Sequence, residues 1–476
     1  MKLRLLSYGW VLLLIACTSE LKQHELGAQD VVSDFRHYDK HVVKSTNVAK
    51  YKQWWRQFLS PELNELVKEA LRHNAKIKQS SANVDIAKAF LQKVQFSWFP
   101  TINMGAAAYR GELSQLNINN NGNISLLNDL EVKPNWPYYG YASGFMPSYS
   151  INFIEKYQNQ VIGTQDLSAK IALYRSVRLT VIGQVVASYF NILANKQQLL
   201  THQLILNDLR EQKRYALVAK QYGAGNILTV EDIQIKIAKY AKSIPQVQHN
   251  LYDSQNALRV LIGKPNANFN FKVQFEQFED KYLVPIDIPL NVLEHRPDVE
   301  EAKYLLKKDN AQIARVMSKL IPSFKLTTIW GNGGLYFANL FSLTTNILQG
   351  QIAAMMPLID GTIFMEIKQA KAAKSVSFYH YISTIHQALS DIDTALSRRK
   401  HLFETYHVIT TALNHANYRY QLNKNKVDFG ASSYAQILPL KIEIHKLECQ
   451  KIAIKQQQFN SLVSLYQALG LGGELA

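Results

Sequence analysis

The chain repeats itself, and each copy contains helical patterns too long for one globular core. The first copy opens at Ser60-Pro61-Glu62 and runs as a helical pattern to Trp98-Phe99-Pro100-Thr101-Ile102. The second opens at Arg296-Pro297-Asp298 and runs to Leu320-Ile321-Pro322-Ser323-Phe324. In both, strand-like segments follow, then a very long helical pattern, a turn and a returning helix. The returning helices close with Leu261-Ile262-Gly263 and Ala468-Leu469-Gly470. At 476 residues, 47% apolar and 19% charged, the chain is neither a small domain nor a disordered one. The expectation is an elongated, mostly α-helical architecture built on an internal two-fold repeat.

The lengths within a copy close on one another. Ser60 is placed to cap a helix with Pro61 at its first position, and that helix is expected to run to about Phe99, where Pro100 ends it. No proline interrupts Tyr157 to Tyr222, and Ile171, Tyr174, Val177, Val181, Val185, Tyr189 and Ile192 recur there at helical seam spacing. Gly223-Ala224-Gly225-Asn226 breaks the pattern, and a returning helix ends near Gly263. Two helices of roughly 37 residues laid end to end match one of roughly 65, a rod of ~100 Å. The second copy repeats the scheme with a helix from Pro297 to Leu320, a long helix from about Ile363 to Leu422, and a last helix ending near Leu469. The division expected is a first repeat at 60–263, a connector at 264–295 containing Pro265, Pro285 and Pro289, a second repeat at 296–470 and a tail at 471–476.

Each copy offers two strands. Thr101 to Gly111 reads as the first, followed by a long loop to Gly140 that includes Asn119-Asn120-Asn121-Gly122. In the second, Phe145, Pro147, Tyr149, Ile151 and Phe153 point one way, and Gly144, Met146, Ser148, Ser150 and Asn152 point the other. That alternation suits a wall between lipid and a wet lumen, and equally a strand of a soluble sheet. Strands are expected again near 323–331 and 348–358. No apolar run beyond the N-terminus reaches the length of a membrane-spanning helix, so any crossing must be a closed β-barrel. Four strands cannot close one, and the chain must then oligomerise.

The first 16 residues read as an export signal, with Lys2 and Arg4 before the apolar Val11-Leu12-Leu13-Leu14-Ile15. The signal ends at Leu14-Ile15-Ala16-Cys17, which resembles the bacterial lipobox, so Cys17 is expected to carry lipid at the head of an N-terminal arm spanning 17–59. An ordinary signal with an incidental cysteine is the alternative. Thr18, rather than an aspartate, favours the outer membrane. The second cysteine, Cys449, then has no partner and reads as a packing residue.

A net charge of +16 could suggest nucleic acid, but lysines such as Lys441, Lys446, Lys451 and Lys455 are spread along helices, as on a solvated face. With the export signal, no nucleic-acid partner is expected. No nucleophile elbow, phosphate-binding loop or zinc-protease pattern occurs. His380 and His386, like His401 and His407, are six apart, poor spacing for ligands on one helix face. Neither enzyme activity nor a metal or cofactor is expected.

Four motifs in order resemble the TolC-like outer-membrane efflux proteins, and within them the lipoprotein branch. They are His295-Arg296-Pro297-Asp298-Val299, Tyr222-Gly223-Ala224-Gly225, Pro357-Leu358-Ile359-Asp360-Gly361 and Leu465-Tyr466-Gln467-Ala468-Leu469-Gly470. The resemblance covers nearly the whole mature chain from residue 60. It implies a homotrimer whose four strands per chain build a twelve-stranded barrel in outer-membrane lipid, above a hollow barrel of coiled-coil helices in the periplasm. It implies a periplasmic adaptor and an inner-membrane efflux pump as partners, and passive outward passage of drugs or other small molecules. Export of a protein or peptide remains the runner-up, and a lipid-anchored periplasmic scaffold without a pore is the alternative of another class. The two hairpin tips, Gly223–Asp232 and Asn423–Gln436, are expected to form the periplasmic mouth and adaptor contact. In the first, Gly223 and Gly225 make the turn, and Glu231 and Asp232 stand where the family lines its constriction with acids. The second tip departs from the family. There Asn425 is expected to replace the turn glycine, with Asp428 nearby, and Gln436 and Pro439 fall where acids can sit.

Overall fold

The computed structural model describes residues 53–113, 136–279, 296–334 and 346–472. The signal, Cys17, most of the arm, His295 and the Asn119–Gly122 loop lie outside the described residues. The elements are α1 (Pro61–His73), α2 (Ala75–Phe96), β1 (Thr101–Leu113), β2 (Trp136–Ile151), α3 (Phe153–Gln221), α4 (Ile227–Ile262), α5 (Pro297–Met317), β3 (Ser323–Gly334), β4 (Asn346–Met355), α6 (Gly361–Asp428) and α7 (Leu438–Ala468).

The helix expected from Ser60 to Phe99 is two helices. Ser60 caps α1, its Oγ accepting from the Leu63 N–H at 3.2 Å. Asn74 then stops α1 in extended conformation (ψ 126°) and caps α2, its Oδ1 accepting from the N–H groups of Lys76 at 2.9 Å and Ile77 at 3.2 Å. The Asn74 amide also donates to the Leu261 carbonyl at 2.9 Å, at the end of α4. Helical spacing continues across Asn74, so periodicity alone does not show the break. Asparagine's local hydrogen bonding and this tertiary contact make it.

The break resets the register of the repeat. Asn74 caps the 22-residue α2 and Arg296 stands at the N-cap of the 21-residue α5, with a proline and then a strand after each helix. Both cap side chains reach the carbonyl two residues before a closing glycine, Asn74 to Leu261 and Arg296 to Ala468. Those glycines, Gly263 (φ 67°) and Gly470 (φ 69°), hold left-handed backbone. Helix α1 therefore has no counterpart, and Arg296-Pro297 corresponds in space to Asn74-Ala75 rather than to Ser60-Pro61.

The long helices α3 and α6 have 69 and 68 residues, α6 running past the expected Leu422 to Asp428. Each is ~100 Å long at 1.5 Å per residue. Contacts set the helices in a single layer, in the order α2-α3-α5-α6 near the strands and α4-α3-α7-α6 toward the tips. One stretch of α3 is apolar enough by composition to cross a bilayer, which the sequence reading missed, but 67% of it is buried inside the protein. It is core helix.

The sheet is antiparallel throughout, in the order β1-β2-β3-β4, leaving β1 and β4 as open edges. Strand β2 begins at Trp136, inside the stretch read as loop, and ends at Ile151, so Phe153 opens α3 instead of continuing the strand face. Strand β3 reaches Gly334, and β4 stops at Met355 rather than Leu358.

The main core sits midway along the rod. Phe190 of α3 stacks on Phe459 of α7 at 4.2 Å between ring centroids, and Trp54 stacks on Tyr466 at 4.6 Å. Trp54 belongs to a short 3-10 helix, Trp54–Phe58, so the end of the arm is part of the core. Part of the connector is core too, since the 3-10 turn Phe275–Gln277 buries Phe275.

Candidate functional site: the hairpin tips and the channel wall

At the first tip, α3 ends in a hydrogen-bonded left-handed turn. The Gly223 N–H donates to the Lys220 carbonyl at 3.1 Å and the Ala224 N–H to the Ala219 carbonyl at 2.9 Å. Gly223 takes φ 75°, where a side chain would be strained. At Gly225 a Cβ would come within 2.7 Å of the Lys220 nitrogen. Asn226 then caps α4, its side chain accepting from the Leu228 N–H at 3.0 Å.

The second tip copies this bond for bond. The Gly430 N–H donates to the Val427 carbonyl at 3.0 Å and the Ala431 N–H to the Lys426 carbonyl at 2.8 Å. Gly430 takes φ 73°. The turn residue is therefore Gly430. Asn425, expected to play that part, lies inside α6 with its carbonyl accepting from the Phe429 N–H at 3.0 Å. Tyr222-Gly223-Ala224 and Phe429-Gly430-Ala431 are the same motif, although the second has Ser432 where a Tyr-x-x-Gly pattern has its glycine. Asp428 is the exposed last residue of α6.

Aligning the turns also moves the acid positions. Asn226 corresponds to Ser433, whose Oγ accepts from the Ala435 N–H at 3.2 Å. Glu231 and Asp232 then correspond to Leu438 and Pro439. Gln436 corresponds to Thr229, not to an acid, and accepts from the Ser432 hydroxyl at 2.9 Å. Pro439 has no N–H for the Ala435 carbonyl, so the chain starts upward as the 3-10 turn Tyr434–Gln436 before α7 begins.

Glu231 and Asp232 are both exposed, beside buried Val230 and Ile233. They sit in the second turn of α4, whose first turn holds no acid. The helix dipole fades within the first turn, so capping does not explain them. Lys424 and Lys426 put exposed positive charge on the last turns of α6.

Above the tips, polar pairs join the helices, among them Arg419 of α6 with Glu443 of α7 at 2.9 Å. Asp208 of α3 is buried and pairs with Lys441 of α7 at 2.8 Å and His445 at 3.3 Å. Its hydrogen bond holds the Lys441 ammonium above the ordinary lysine range. A small apolar cluster of Ile205, Leu209 and Ile442 lies alongside, with Cys449 packed against it. Burial pushes the Cys449 thiol to about 12, the behaviour of a packing residue.

At the other end, the register gives the sheet two different faces. Met104, Phe145, Trp330 and Leu348 form one cross-strand row, and all four are exposed. Thr101, Ser148, Thr327 and Gln351 form a row on the opposite face.

The sequence profile described as "Outer membrane efflux protein" matches residues 66–264 and 288–471. The chain belongs to this outer membrane efflux protein family. Its members are channels, and the family places the protein in the outer membrane with its helices on the periplasmic side. Among curated relatives, the chain is similar to the probable outer membrane lipoprotein SilC of Salmonella typhimurium, 23% identical over 482 residues covering 99% of both chains. It is similar to the toluene efflux pump outer membrane protein TtgC of Pseudomonas putida, 23% identical with 90% and 87% coverage. Among solved structures, the Campylobacter jejuni CmeC outer membrane channel has the same fold, with a TM-score of 0.76, 21% identity, and 91% and 90% coverage.

Two efflux-protein motifs that lie far apart in sequence meet in space. The buried Arg296 forks onto Asp298, Nε to Oδ1 at 3.0 Å and Nη2 to Oδ2 at 2.7 Å. The same guanidinium reaches Asp391 of α6 at 3.3 Å and donates to the Ala468 carbonyl of α7 at 2.5 Å. The Arg-Pro-Asp motif thus joins three helices at the closing Leu-Gly.

Proposed function

We propose that the protein is a homotrimeric outer-membrane conduit, lipid-anchored through Cys17, that passively passes small molecules outward from an inner-membrane pump and periplasmic adaptor. The observation that carries this is the coincidence of open edges. The sheet is unpaired at β1 and β4, and the helix layer ends on α2 and α4 at one side and α6 at the other. The edge helices expose large apolar side chains, Ile86, Phe90, Ile235 and Tyr252 on one side and Val376, Tyr379, Val408 and Tyr418 on the other. Of the interior helices, α5 and α7 expose none among the described residues, while α3 exposes Leu200, Leu204, Leu217 and Val218 toward the tips. Unpaired strand edges cannot face lipid, so strands and helices call for the same neighbour, a further copy of the chain. Three copies of four strands follow the family's architecture, and the apolar row through Phe145 and Trp330 suits the lipid side. SilC's description as a lipoprotein supports the anchor, and TtgC's as part of an efflux pump supports the partners.

In this reading the tips are the periplasmic mouth and adaptor contact, and Glu231 and Asp232 line its constriction. Single-channel recording of the reconstituted full-length protein tests the proposal. Discrete conductance from a trimer of native mass is expected, whereas a scaffold without a pore conducts nothing.

A further inference from the structure

The face of the sheet opposite the lipid row mixes small and polar side chains with Met146, Ile329 and Met355. Its row Thr101, Ser148, Thr327 and Gln351 carries only hydroxyls and an amide. One step nearer the helices the row changes. There Lys325 is flanked by Ser150 on β2 and Ala353 on β4, both too short to cover it. Lys325 is exposed, and among the described residues it makes no ion pair. It is the one charged side chain among those described on this face.

We propose that Lys325, repeated around the trimer, is a cation filter at the periplasmic end of the barrel lumen, and that the cargo it favours is anionic. This rests on the channel reading above. Twelve strands spaced ~4.8 Å apart and tilted ~40° make a wall of about 12 Å backbone radius. A lysine stem reaches roughly 6 Å inward, which puts three ammonium groups within one Debye length of the axis. No described carboxylate on this face opposes them. Screened in water at physiological ionic strength, three such charges by themselves favour anions over cations roughly tenfold or more. The field acts on every passing solute, so the class selected is carboxylate- or phosphate-bearing molecules rather than one compound.

The test uses the full-length trimer in planar bilayers under a potassium chloride gradient. Because Glu231 and Asp232 at the mouth draw cations, the readout for Lys325 is the change in reversal potential between wild type and variant. Lys325→Gln should lower the chloride-to-potassium permeability ratio roughly tenfold or more, and Lys325→Glu should lower it further. Tripolyphosphate added on the extracellular side should block wild-type current at lower concentration than Lys325→Gln current. Open pores whose selectivity and block are the same in wild type and Lys325→Gln would overturn the filter and leave the channel standing. If wild-type protein never conducts, the channel reading itself fails. The side-chain placement is then read separately from Lys325→Cys in a Cys449→Ser background. Labelling by a water-soluble, membrane-impermeant thiol reagent supports a wet lumen, and labelling only by a lipid-phase reagent refutes it.

Discussion

The middle of the rod and its tip-ward half are made from the same helices, yet they are held together differently. At the middle, α3 meets α7, the arm and the connector through packed aromatic rings and α1 through Leu63 and Val67, with Phe190, Tyr189, Phe459 and Tyr466 almost wholly buried. Toward the tips, α3 and α7 share one small apolar cluster and the buried Asp208 with its cationic partners. The lesson is that a long helix need not be uniformly anchored. Fixed at the middle and lightly tied below, its lower half can shift by exchanging a few polar contacts, while the middle cannot move without opening a core.

The comparison makes a graded set of predictions. The largest effect belongs to the middle. Phe459→Ala removes a ring packed on Phe190, Phe58 and Phe275 and should cost about 3–5 kcal/mol, read as loss of folded protein in a denaturant series. A milder effect there would mean the core is looser than its burial implies. Arg296→Met should come close, because it strips Asp298 and Asp391 of their partner and frees the Ala468 carbonyl. Breaking such a buried pair costs roughly 3–5 kcal/mol, and thermal unfolding should show it before any defect at the tips.

At the tip-ward half the losses should be smaller and local. Asp208→Asn should leave global stability nearly intact while raising hydrogen exchange in α7 around Ile442. The sign of the pH effect follows from the raised Lys441. Its pairing with Asp208 stabilises fully below the ordinary lysine value of 10.5 and is lost only as pH rises through the higher folded value. The clamp should therefore hold across neutral pH and loosen in strong alkali. Gly430→Ala should cost about 1–2 kcal/mol through its left-handed backbone, and the same change at Gly223 should match it, since the turns are alike. Unequal costs would break the equivalence of the two tips. The smallest stability effect is expected from Glu231→Gln with Asp232→Asn, within about 0.5 kcal/mol. Their readout is ion selectivity, which should shift toward anions if these acids line the mouth.

Much of this was legible in the residues, because periodicity reports which face of an element is apolar. The two long helices and the returning helix to Gly263, the alternation from Phe145 to Ile151 and the tip turn at Gly223 follow from local pattern alone. The second turn was equally local. Phe429-Gly430-Ala431 repeats Tyr222-Gly223-Ala224, and the family spacing drew attention to Asn425 instead. Three features needed the tertiary structure. The break at Asn74 depends on a bond to Leu261, far along the chain. The role of Arg296 depends on Asp391 and Ala468 arriving beside it. The solitary charge of Lys325 depends on strand register, which sets Ser150 and Ala353 at its sides. Sequence by itself determined what each segment prefers to be, since helix and strand preferences arise from neighbours within a few residues. Only the folded chain decided which distant segments meet, because one packing must satisfy all of those contacts at once.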